Sequence, residues 1–304
     1  MDPQFESLVD QISRVIFGKK KQIRLSLTCL FAQGHLLIED LPGIGKTTLA
    51  KVLSRCLGLN FRRIQCTSDM LPGDVLGISV FEQQSGNFIF HPGPIFTQVL
   101  LADEINRATP KTQSALLEAM EERQVTVEGK TRPLEQPFFV IATQNPLEQS
   151  GTFALPESQL DRFLMRISMG YPDRKAEKAL LKQTESRRAI DGISCCLKPD
   201  DVQRYQEEIP GVHVSDALLD YVQDLVDFTR SASDFAVGLS PRAGIALLRA
   251  AKSSAYLNGR GHVIPEDVQI VLPWVIGHRL RSRENYQEIP MERLTAMMLK
   301  VPVP

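Results

Sequence analysis

The chain has 304 residues, of which 43% are hydrophobic and 23% charged, the composition of a globular protein with about two domains. Its 35 basic and 36 acidic residues give a net charge of −1, which argues against a large basic face for duplex nucleic acid. No apolar run approaches the ~18 residues that cross a bilayer, and residues 1–10 lack the layout of a signal peptide. We therefore expect a cytoplasmic protein without membrane insertion.

The cysteines and histidines indicate neither disulfides nor a structural metal site. The five cysteines are odd in number and three lie in apolar segments, which is typical of reduced core thiols. The five histidines are scattered, without the Cys/His spacing that ligands of a structural metal show.

The amino-terminal segment, residues 5–33, has helical periodicity that breaks at Phe17-Gly18. The break leaves Ile16 and Phe17 beside the start of the first predicted strand. An apolar pair in that position could cover the adenine ring of a nucleotide, although plain core packing explains it equally well. Ile16, Phe17 and Gly18 are therefore candidate contacts for the base.

A strand, a glycine-rich turn and a helix follow this segment directly. Residues 36–39 read as a short buried strand, and apolar residues at helical spacing begin after Thr48. In this context N–H groups of the turn and of the helix N-terminus attract phosphate oxygens. Lys46 adds a charge for the β- and γ-phosphates, and the Thr47 hydroxyl can bind Mg²⁺. The candidate nucleotide-binding residues are Pro42, Gly43, Ile44, Gly45, Lys46, Thr47 and Thr48.

Asp40 departs from the general phosphate-loop pattern, because it stands where the first glycine is expected. Aspartate tolerates left-handed backbone geometry better than most residues, so the turn can still close. Its carboxylate is expected to place a negative charge near the phosphates, which bears on nucleotide affinity.

Two β-hairpins are predicted as insertions. The first, at about residues 78–91, lies in an unusually long segment between predicted strands at 61–66 and 99–103. The second, at about residues 124–135, precedes a predicted strand at 138–143. A long insertion in a compact domain is usually functional or disordered, and the aromatic residues of the first hairpin favour an ordered, functional one.

Polar side chains follow two of these strands. Asp103 and Glu104 end the strand at 99–103, where the first carboxylate can hold Mg²⁺ through water and the second can polarise the attacking water. Two carboxylates after a strand are weak evidence for such a catalytic pair on their own. They become strong evidence when a phosphate loop precedes them in the chain. Asn145 follows the next strand and could orient the same water, although a simple Asn-Pro turn is compatible with it.

Arg162 follows a short predicted helix and precedes the last predicted strand, residues 165–169. An arginine in this place can project from one subunit toward the γ-phosphate of its neighbour. A local ion pair with Asp161 or Glu157 is the alternative.

The pattern changes near residue 171, which divides a nucleotide-binding core, residues 1–171, from an all-helical domain, residues 172–304. Ser240-Pro241 caps one of the helices and places Arg242 in its first turn. The helix dipole disfavours a cation there, and a bound phosphate would remove the conflict. The predicted helices span 173–188, 200–208, 215–230, 241–257 and 265 onward.

Five motifs in this order resemble the MoxR family of AAA+ ATPases, in the helix-2-insert branch. The resemblance covers nearly the whole chain. The motifs are EDLPGIGKT at residues 39–47, DEINRA at 103–108, ATQNP at 142–146, LPESQLDRF at 155–163 and LSPR at 239–242.

The resemblance implies an α/β fold, in which a P-loop core with a five-stranded parallel sheet in the order 5-1-4-3-2 carries a helical lid. It also implies hydrolysis of ATP with Mg²⁺ at the subunit interfaces of a ring, usually a hexamer. The implied roles are Walker A for Lys46 and Thr47, Walker B for Asp103 and Glu104, sensor 1 for Asn145, the arginine finger for Arg162 and sensor 2 for Arg242. In this branch the lid is displaced, which leaves open whether Arg242 acts in its own subunit or in the neighbour.

The function implied is that of a chaperone-like ATPase that remodels or matures partner proteins or inserts metal cofactors. Its expected partners are a client protein and a separate protein with a von Willebrand factor A domain. The alternatives are a nucleic-acid-dependent motor, related to the helicases and chelatase ATPase subunits of this branch, and a nucleotide-gated structural subunit with little turnover. The charges of the second hairpin, Lys130 and Arg132 against Glu128 and Glu135, are too balanced for a strong grip on phosphates, which disfavours nucleic acid.

Overall fold

The structure, a computed structural model, describes residues 3–146, 151–182 and 192–303. Among these residues no helix has both the length and the apolar character needed to cross a membrane. Up to the end of the sheet, the elements in chain order are α1 (Pro3–Ser13), α2 (Lys20–Phe31), β1 (Leu36–Glu39), α3 (Lys46–Cys56), β2 (Phe61–Gln65), α4 (Pro72–Leu76), β3 (Gly77–Glu82), β4 (Asn87–Pro92), β5 (Val99–Asp103), α5 (Pro110–Glu122), β6 (Gln124–Val127), β7 (Lys130–Pro133), β8 (Phe139–Gln144), α6 (Glu157–Leu160) and β9 (Met165–Ile167).

Five of the strands form one parallel sheet, in the order β2-β5-β8-β1-β9. Counted among themselves in chain order and read from the β9 side, they follow the order 5-1-4-3-2. The fold class is thus confirmed. Because the strands are parallel, all their last residues meet at one end of the sheet, the carboxyl end, and all their first residues at the opposite amino end.

Two antiparallel hairpins stand apart from this sheet. Strands β3 and β4 form the first hairpin, and β6 and β7 form the second, at about the predicted positions. The guanidinium of Arg132 in the second lies 3.8 Å from the ring centre of Phe90 in the first, so the two hairpins are in contact.

The described residues after β9 form helices, apart from isolated bridges. The predicted helix at 173–188 is observed over its first part, and residues 183–188 lie outside the described residues. The prediction of one continuous helix from 265 onward was wrong, because residues 277–290 separate two helices. This segment turns inward, where the ring of His278 hydrogen-bonds the carbonyl of Phe163 (3.1 Å), and Pro290 precedes the next helix. The helices are α7 (Arg174–Lys182), α8 (Pro199–Glu208), α9 (Asp216–Ser231), α10 (Pro241–Leu257), α11 (Pro265–Ile276) and α12 (Met291–Met298).

One hydrophobic cluster continues from α1, α2 and one face of the sheet into the helices of the lid. The rings of Phe31 in α2 and Tyr205 in α8 lie 5.2 Å apart, and the Ser253 hydroxyl of α10 donates to the Thr28 carbonyl at 2.9 Å. A second cluster covers the other face of the sheet. The division at residues 171 and 172 stays a prediction.

The cysteines are all free, and Cys29, Cys56 and Cys66 are buried in these clusters. Burial raises the pKa of the Cys56 and Cys66 thiols to about 12, because a thiolate is poorly solvated in an apolar interior. The three cysteines in apolar segments therefore lie in the core, and their reduced state stays a prediction.

Candidate functional site

The turn between β1 and α3 presents its backbone to open space. Gly43 and Gly45 have φ values of 83° and 92°, which glycine adopts without steric cost. A Cβ added to either would meet no atom within 4 Å. Gly45 is also the N-cap of α3, whose first N–H groups have no side-chain cap. This is the geometry with which a helix N-terminus binds phosphate.

A cavity of about 400 Å³ lies beside this turn. Ile16 and Phe17 line one side of it, while Met169 and Tyr171, from the segment after β9, line another. The structure therefore brings the apolar pair to the phosphate turn, as the sequence predicts, and the pair's contact with a base stays a prediction. Gly18, with φ of 69°, adjoins the cavity without lining it. The lining residues from the turn and α3 are Pro42, Gly43, Ile44, Gly45 and Thr48.

Lys46 is half-buried at the start of α3, and its Nζ donates to the backbone carbonyl of Asp40 at 2.6 Å. Burial lowers the pKa of the Lys46 ammonium. The nearby carboxylates of Asp40, Asp103 and Glu104 act in the opposite direction, because they favour the charged form. Phosphate oxygens bound at the turn would favour the charged form further.

The carboxylate of Asp40 is held by three donors, and its effect on nucleotide affinity stays a prediction. Oδ2 accepts hydrogen bonds from the Ser168 hydroxyl at 2.9 Å and the Gly170 N–H at 2.6 Å, and Oδ1 accepts from the Leu41 N–H at 2.9 Å. Asp40 therefore ties the start of the phosphate turn to the segment that leaves the sheet for the lid.

Asp103 is the last residue of β5 and is 8% exposed. Its Oδ1 accepts from the Thr143 hydroxyl at 2.6 Å, and its Oδ2 accepts from the Arg63 guanidinium at 2.7 Å. These contacts fix the orientation of a carboxylate at the carboxyl end of the sheet.

Glu104 has left-handed backbone geometry, with φ of 56°, which turns the chain so that its carboxylate reaches the same end of the sheet. Its N–H donates to the Thr143 hydroxyl at 2.9 Å. Its Oε2 accepts from the Gln65 amide at 2.7 Å and from Arg107 at 3.2 Å. The catalytic candidate is therefore held by side chains of two neighbouring segments.

The donors at this end suit a Mg²⁺ ion that arrives with a nucleotide. The described residues contain no group of three or more His, Cys, Asp or Glu side chains that could hold a metal. Mg²⁺ usually keeps several waters and binds one or two carboxylates together with substrate phosphates. The Thr47 hydroxyl, at the start of α3, and the Asp103 carboxylate, at the end of β5, are donors of the kind that such an ion needs.

Asn145 directly follows β8, whose neighbours in the sheet are β1 and β5. It therefore lies at the carboxyl end between the phosphate turn and Glu104. Its role toward a water molecule stays a prediction.

Arg162 lies at the opposite, amino end of the sheet. The N–H of Leu164 donates to the His35 carbonyl at 2.9 Å, and Met165 pairs with Leu36, the first residue of β1. The phosphate turn follows the last residue of β1. The four residues of β1 span about 13 Å at ~3.3 Å each. Arg162 and the phosphate turn of the same subunit are therefore a full strand apart.

Arg162 and Arg242 meet at one carboxylate. Arg162 Nη1 lies 2.8 Å from Glu121 Oε2, and Arg242 Nη2 lies 2.7 Å from Glu121 Oε1. Neither Asp161 nor Glu157 forms an ion pair with Arg162, so the local pairing considered from sequence is not observed among the described residues. Arg242 is in the first turn of α10, as predicted, and Glu121 supplies the anion that the helix dipole requires.

A second cavity, of about 230 Å³, surrounds this cluster and shares no lining residue with the first. His35, which also lines it, is fully buried, and burial lowers its pKa to about 4, so the ring is neutral. The lining is therefore strongly cationic. Its charged residues are Arg123, Arg162, Arg242, Arg249 and Arg279, with Glu121 and Asp161.

Sequence reasoning missed several residues of both clusters. Glu121 lies on a helix face that periodicity marks only as exposed, and Arg63 and Gln65 are alternate residues of β2 that bind Asp103 and Glu104 across the sheet. Arg279 falls in a segment predicted as helix, yet its Nε donates to Asp161 at 2.6 Å. Only the strand order could have suggested the β2 contacts, since it places β2 beside β5.

Residues 35–165 match the family described as "ATPase family associated with various cellular activities (AAA)", and residues 227–296 match the AAA lid domain. The chain is 40% identical to the chaperone MoxR1 of Mycobacterium tuberculosis, across 90% of this chain and 75% of that protein. The chain belongs to the MoxR family of AAA+ ATPases.

Two further proteins are similar to this chain over most of their length. The uncharacterized protein YeaC of Bacillus subtilis is 43% identical over 100% of this chain and 96% of its own length. The crystal structure of a proposed ATPase from Cytophaga hutchinsonii has a TM-score of 0.89 at 36% identity, covering 98% of this chain and 94% of that one. The family resemblance read from the five motifs is thus confirmed.

Proposed function

We propose that this MoxR-family protein hydrolyses ATP, with Mg²⁺, at the subunit interfaces of a ring-shaped homo-oligomer, a hexamer of the AAA+ type. The observation that supports this proposal most is the separation of the site into two halves. Lys46 and Glu104 lie at the carboxyl end of the sheet, while Arg162 and Arg242 lie at the amino end. A complete site then needs the carboxyl end of one copy and the amino end of the next.

In this proposal positioning and charge neutralisation provide most of the catalysis, as in other phosphoryl transfers to water. Lys46 stabilises negative charge on the β- and γ-phosphates, and Glu104 accepts a proton from the attacking water, which Asn145 orients. Mg²⁺, held at Thr47 and Asp103, would supply further neutralisation of the phosphate oxygens. Arg162 and Arg242 lie together, which favours action of both in the neighbouring subunit.

We propose further that the ATPase cycle remodels or matures client proteins, or inserts their metal cofactors, with a separate von Willebrand factor A domain protein as partner in the cytoplasm. The first hairpin supports a polypeptide client, because apolar side chains are exposed on both of its faces and exposed apolar patches mark interaction sites. Its exposed side chains are Ile78, Val80, Phe81, Phe88 and Ile89, of which Phe88 is the most exposed at 69%.

Three of the basic residues that could bind a nucleic acid backbone are engaged within the chain. Arg132 of the second hairpin stacks on Phe90 and donates to backbone carbonyls. In the Lys19-Lys20-Lys21 run, Lys20 lies 2.8 Å from Asp10, and Lys21 lies over the ring of Trp274. These contacts disfavour the nucleic-acid-dependent motor, which stays the alternative function. ATPase activity that DNA stimulates, and whose stimulation falls steeply with salt, would favour it.

Nucleotide binding tests the proposed function directly. The purified protein with Mg²⁺ is expected to bind a fluorescent ATP analogue and to hydrolyse ATP, and Lys46→Ala to bind the analogue about 10–100-fold more weakly, because a charged hydrogen-bond donor is lost. Fluorescence titration measures both affinities. Lys51→Ala, an exposed lysine further along α3, is the matched control and should bind as the parent does. Absence of any adenine-nucleotide binding by the parent protein would overturn the proposal.

The client contact has a separate test. Reduced, unfolded casein labelled with a fluorophore is expected to bind the ATP-loaded protein, and the double variant Phe81→Ser, Phe88→Ser to bind it about tenfold more weakly. The two rings stack edge to face at 5.3 Å, so both are removed together. Leu219→Ser with Val237→Ser, two exposed apolar residues of the lid, is the control for loss of surface hydrophobicity. Equal weakening in both double variants would contradict a specific role for the hairpin.

A further inference from the structure

Glu121 is the point where an arginine of the core and an arginine of the lid meet. It lies in the last turn of α5, at the amino end of the sheet. Its Oε2 is 2.8 Å from Arg162 and its Oε1 is 2.7 Å from Arg242, so each carboxylate oxygen serves one guanidinium. No other carboxylate of the described residues bridges these two side chains.

The charges around Glu121 would drive the two arginines apart if the carboxylate were absent. Five arginines and two carboxylates line the cavity. Burial, followed by the positive charge of Arg123, lowers the pKa of Arg249, and Arg242 acts on it in the same direction. The positive charges of Arg162 and Arg242 repel each other, and the Glu121 carboxylate between them keeps the two side chains together.

The contacts also leave several donors of Arg162 unused. Arg162 Nη1 donates to the Leu117 carbonyl at 2.9 Å and also forms the ion pair with Glu121, which lies one helical turn further on. A guanidinium carries five N–H donors in a fixed plane. The remaining N–H groups of Arg162 have no partner among the described residues, so the plane is oriented while half of it stays available.

We propose that Glu121 is a positioning residue for the trans-acting pair, and that its carboxylate aligns Arg162 and Arg242 so that both donate to one γ-phosphate bound by the neighbouring subunit. This inference rests on the proposed function. The three side chains are 30–50% exposed, and ion pairs of that exposure contribute little to folding stability. The contact therefore acts on the geometry of the arginines rather than on the stability of the fold.

Kinetics of Glu121→Ala test the proposal. We expect kcat to fall about 10–100-fold, because small misplacements of a group that stabilises the transition state cost that much. The affinity for an ATP analogue should stay within about twofold, since the phosphate turn is a full strand away. Glu121→Gln should lie between the parent and Glu121→Ala, because its single amide oxygen can accept from only one arginine well. Glu122→Ala, the adjacent exposed carboxylate of α5, is the matched control.

Subunit mixing separates positioning from a general structural defect. Glu121→Ala mixed with Lys46→Ala should regain activity, because each supplies the half of the interface that the other lacks. Glu121→Ala mixed with Arg162→Ala should regain none, since both defects lie at the same end of the subunit. If the alanine variant fails to assemble, Glu121→Gln is used in the same two mixtures.

Parental or raised kcat in Glu121→Ala would overturn the inference, as would recovery in the mixture with Arg162→Ala. Arg162→Ala alone distinguishes this failure from that of the proposed function. If Arg162→Ala keeps parental turnover, interface catalysis itself is wrong. If Arg162→Ala loses turnover while Glu121→Ala keeps it, only the role of Glu121 is wrong.

Discussion

Arg162→Ala is expected to lower ATP turnover by on the order of 10³ or more while ATP binding persists. An arginine that neutralises charge on the γ-phosphate in the transition state contributes that much in other phosphate hydrolases. The side chain lies a full strand away from the phosphate turn of its own subunit, so its removal should leave that subunit's nucleotide affinity within about twofold. Steady-state phosphate release at saturating ATP measures the effect.

Mixing experiments decide whether Arg162 acts in a neighbour. In an equal mixture of Arg162→Ala and Lys46→Ala subunits, about one quarter of the interfaces combine an intact phosphate turn with an intact arginine, because the interface is head-to-tail. Activity should therefore return to about a quarter of the parental value per site. No recovery in freely exchanging mixtures would show that the arginine serves its own subunit. Arg204→Ala, an exposed arginine of α8, is the control.

Glu104→Gln is expected to keep ATP bound and to lose turnover by about 10²–10⁴-fold, the usual contribution of a positioned general base. The substitution keeps the shape of the side chain, and the amide oxygen that replaces Oε2 can still accept from Gln65, 2.7 Å away in the native protein. What is lost is the basicity that a water nucleophile requires. Steady-state phosphate release and analogue binding, measured on the same preparation, separate the two effects.

Glu118→Gln, an exposed carboxylate of α5, is the matched control for this substitution. Near-parental turnover in Glu104→Gln would show that another group activates the water. The same variant, held in its ATP-bound form, is also suited to test from a lysate whether the proposed client protein and the proposed von Willebrand factor A domain partner bind.

Local patterns were sufficient for the fold and for the residues that follow strands. The glycine turn, the acidic pair and Asn145 each come directly after a buried strand, and parallel strands bring their carboxyl ends together. The sequence could therefore predict that Lys46, Asp103 and Glu104 meet. Periodicity also located both hairpins, because turn residues flank short runs of aromatic and β-branched residues.

Contacts between distant segments could not be predicted in this way. Glu121 and Arg242 are 121 residues apart, and only the docking of the lid on α5 brings them together. The orientation of Asp40 was missed for the same reason, since its partners Ser168 and Gly170 lie beyond the last strand. Side-chain partners across such distances depend on packing, which a single sequence does not display.

The continuous apolar interior shared by the lid and the amino-terminal helices has a mechanical consequence. Swinging the lid would pull Phe31 from Tyr205 and Thr28 from Ser253, and uncovering each large apolar side chain costs about 1.5–3 kcal/mol. We therefore expect each subunit to rotate as a rigid body during the nucleotide cycle. Motion would then be transmitted through the interfaces between neighbouring subunits rather than through a hinge between the core and the lid of one chain.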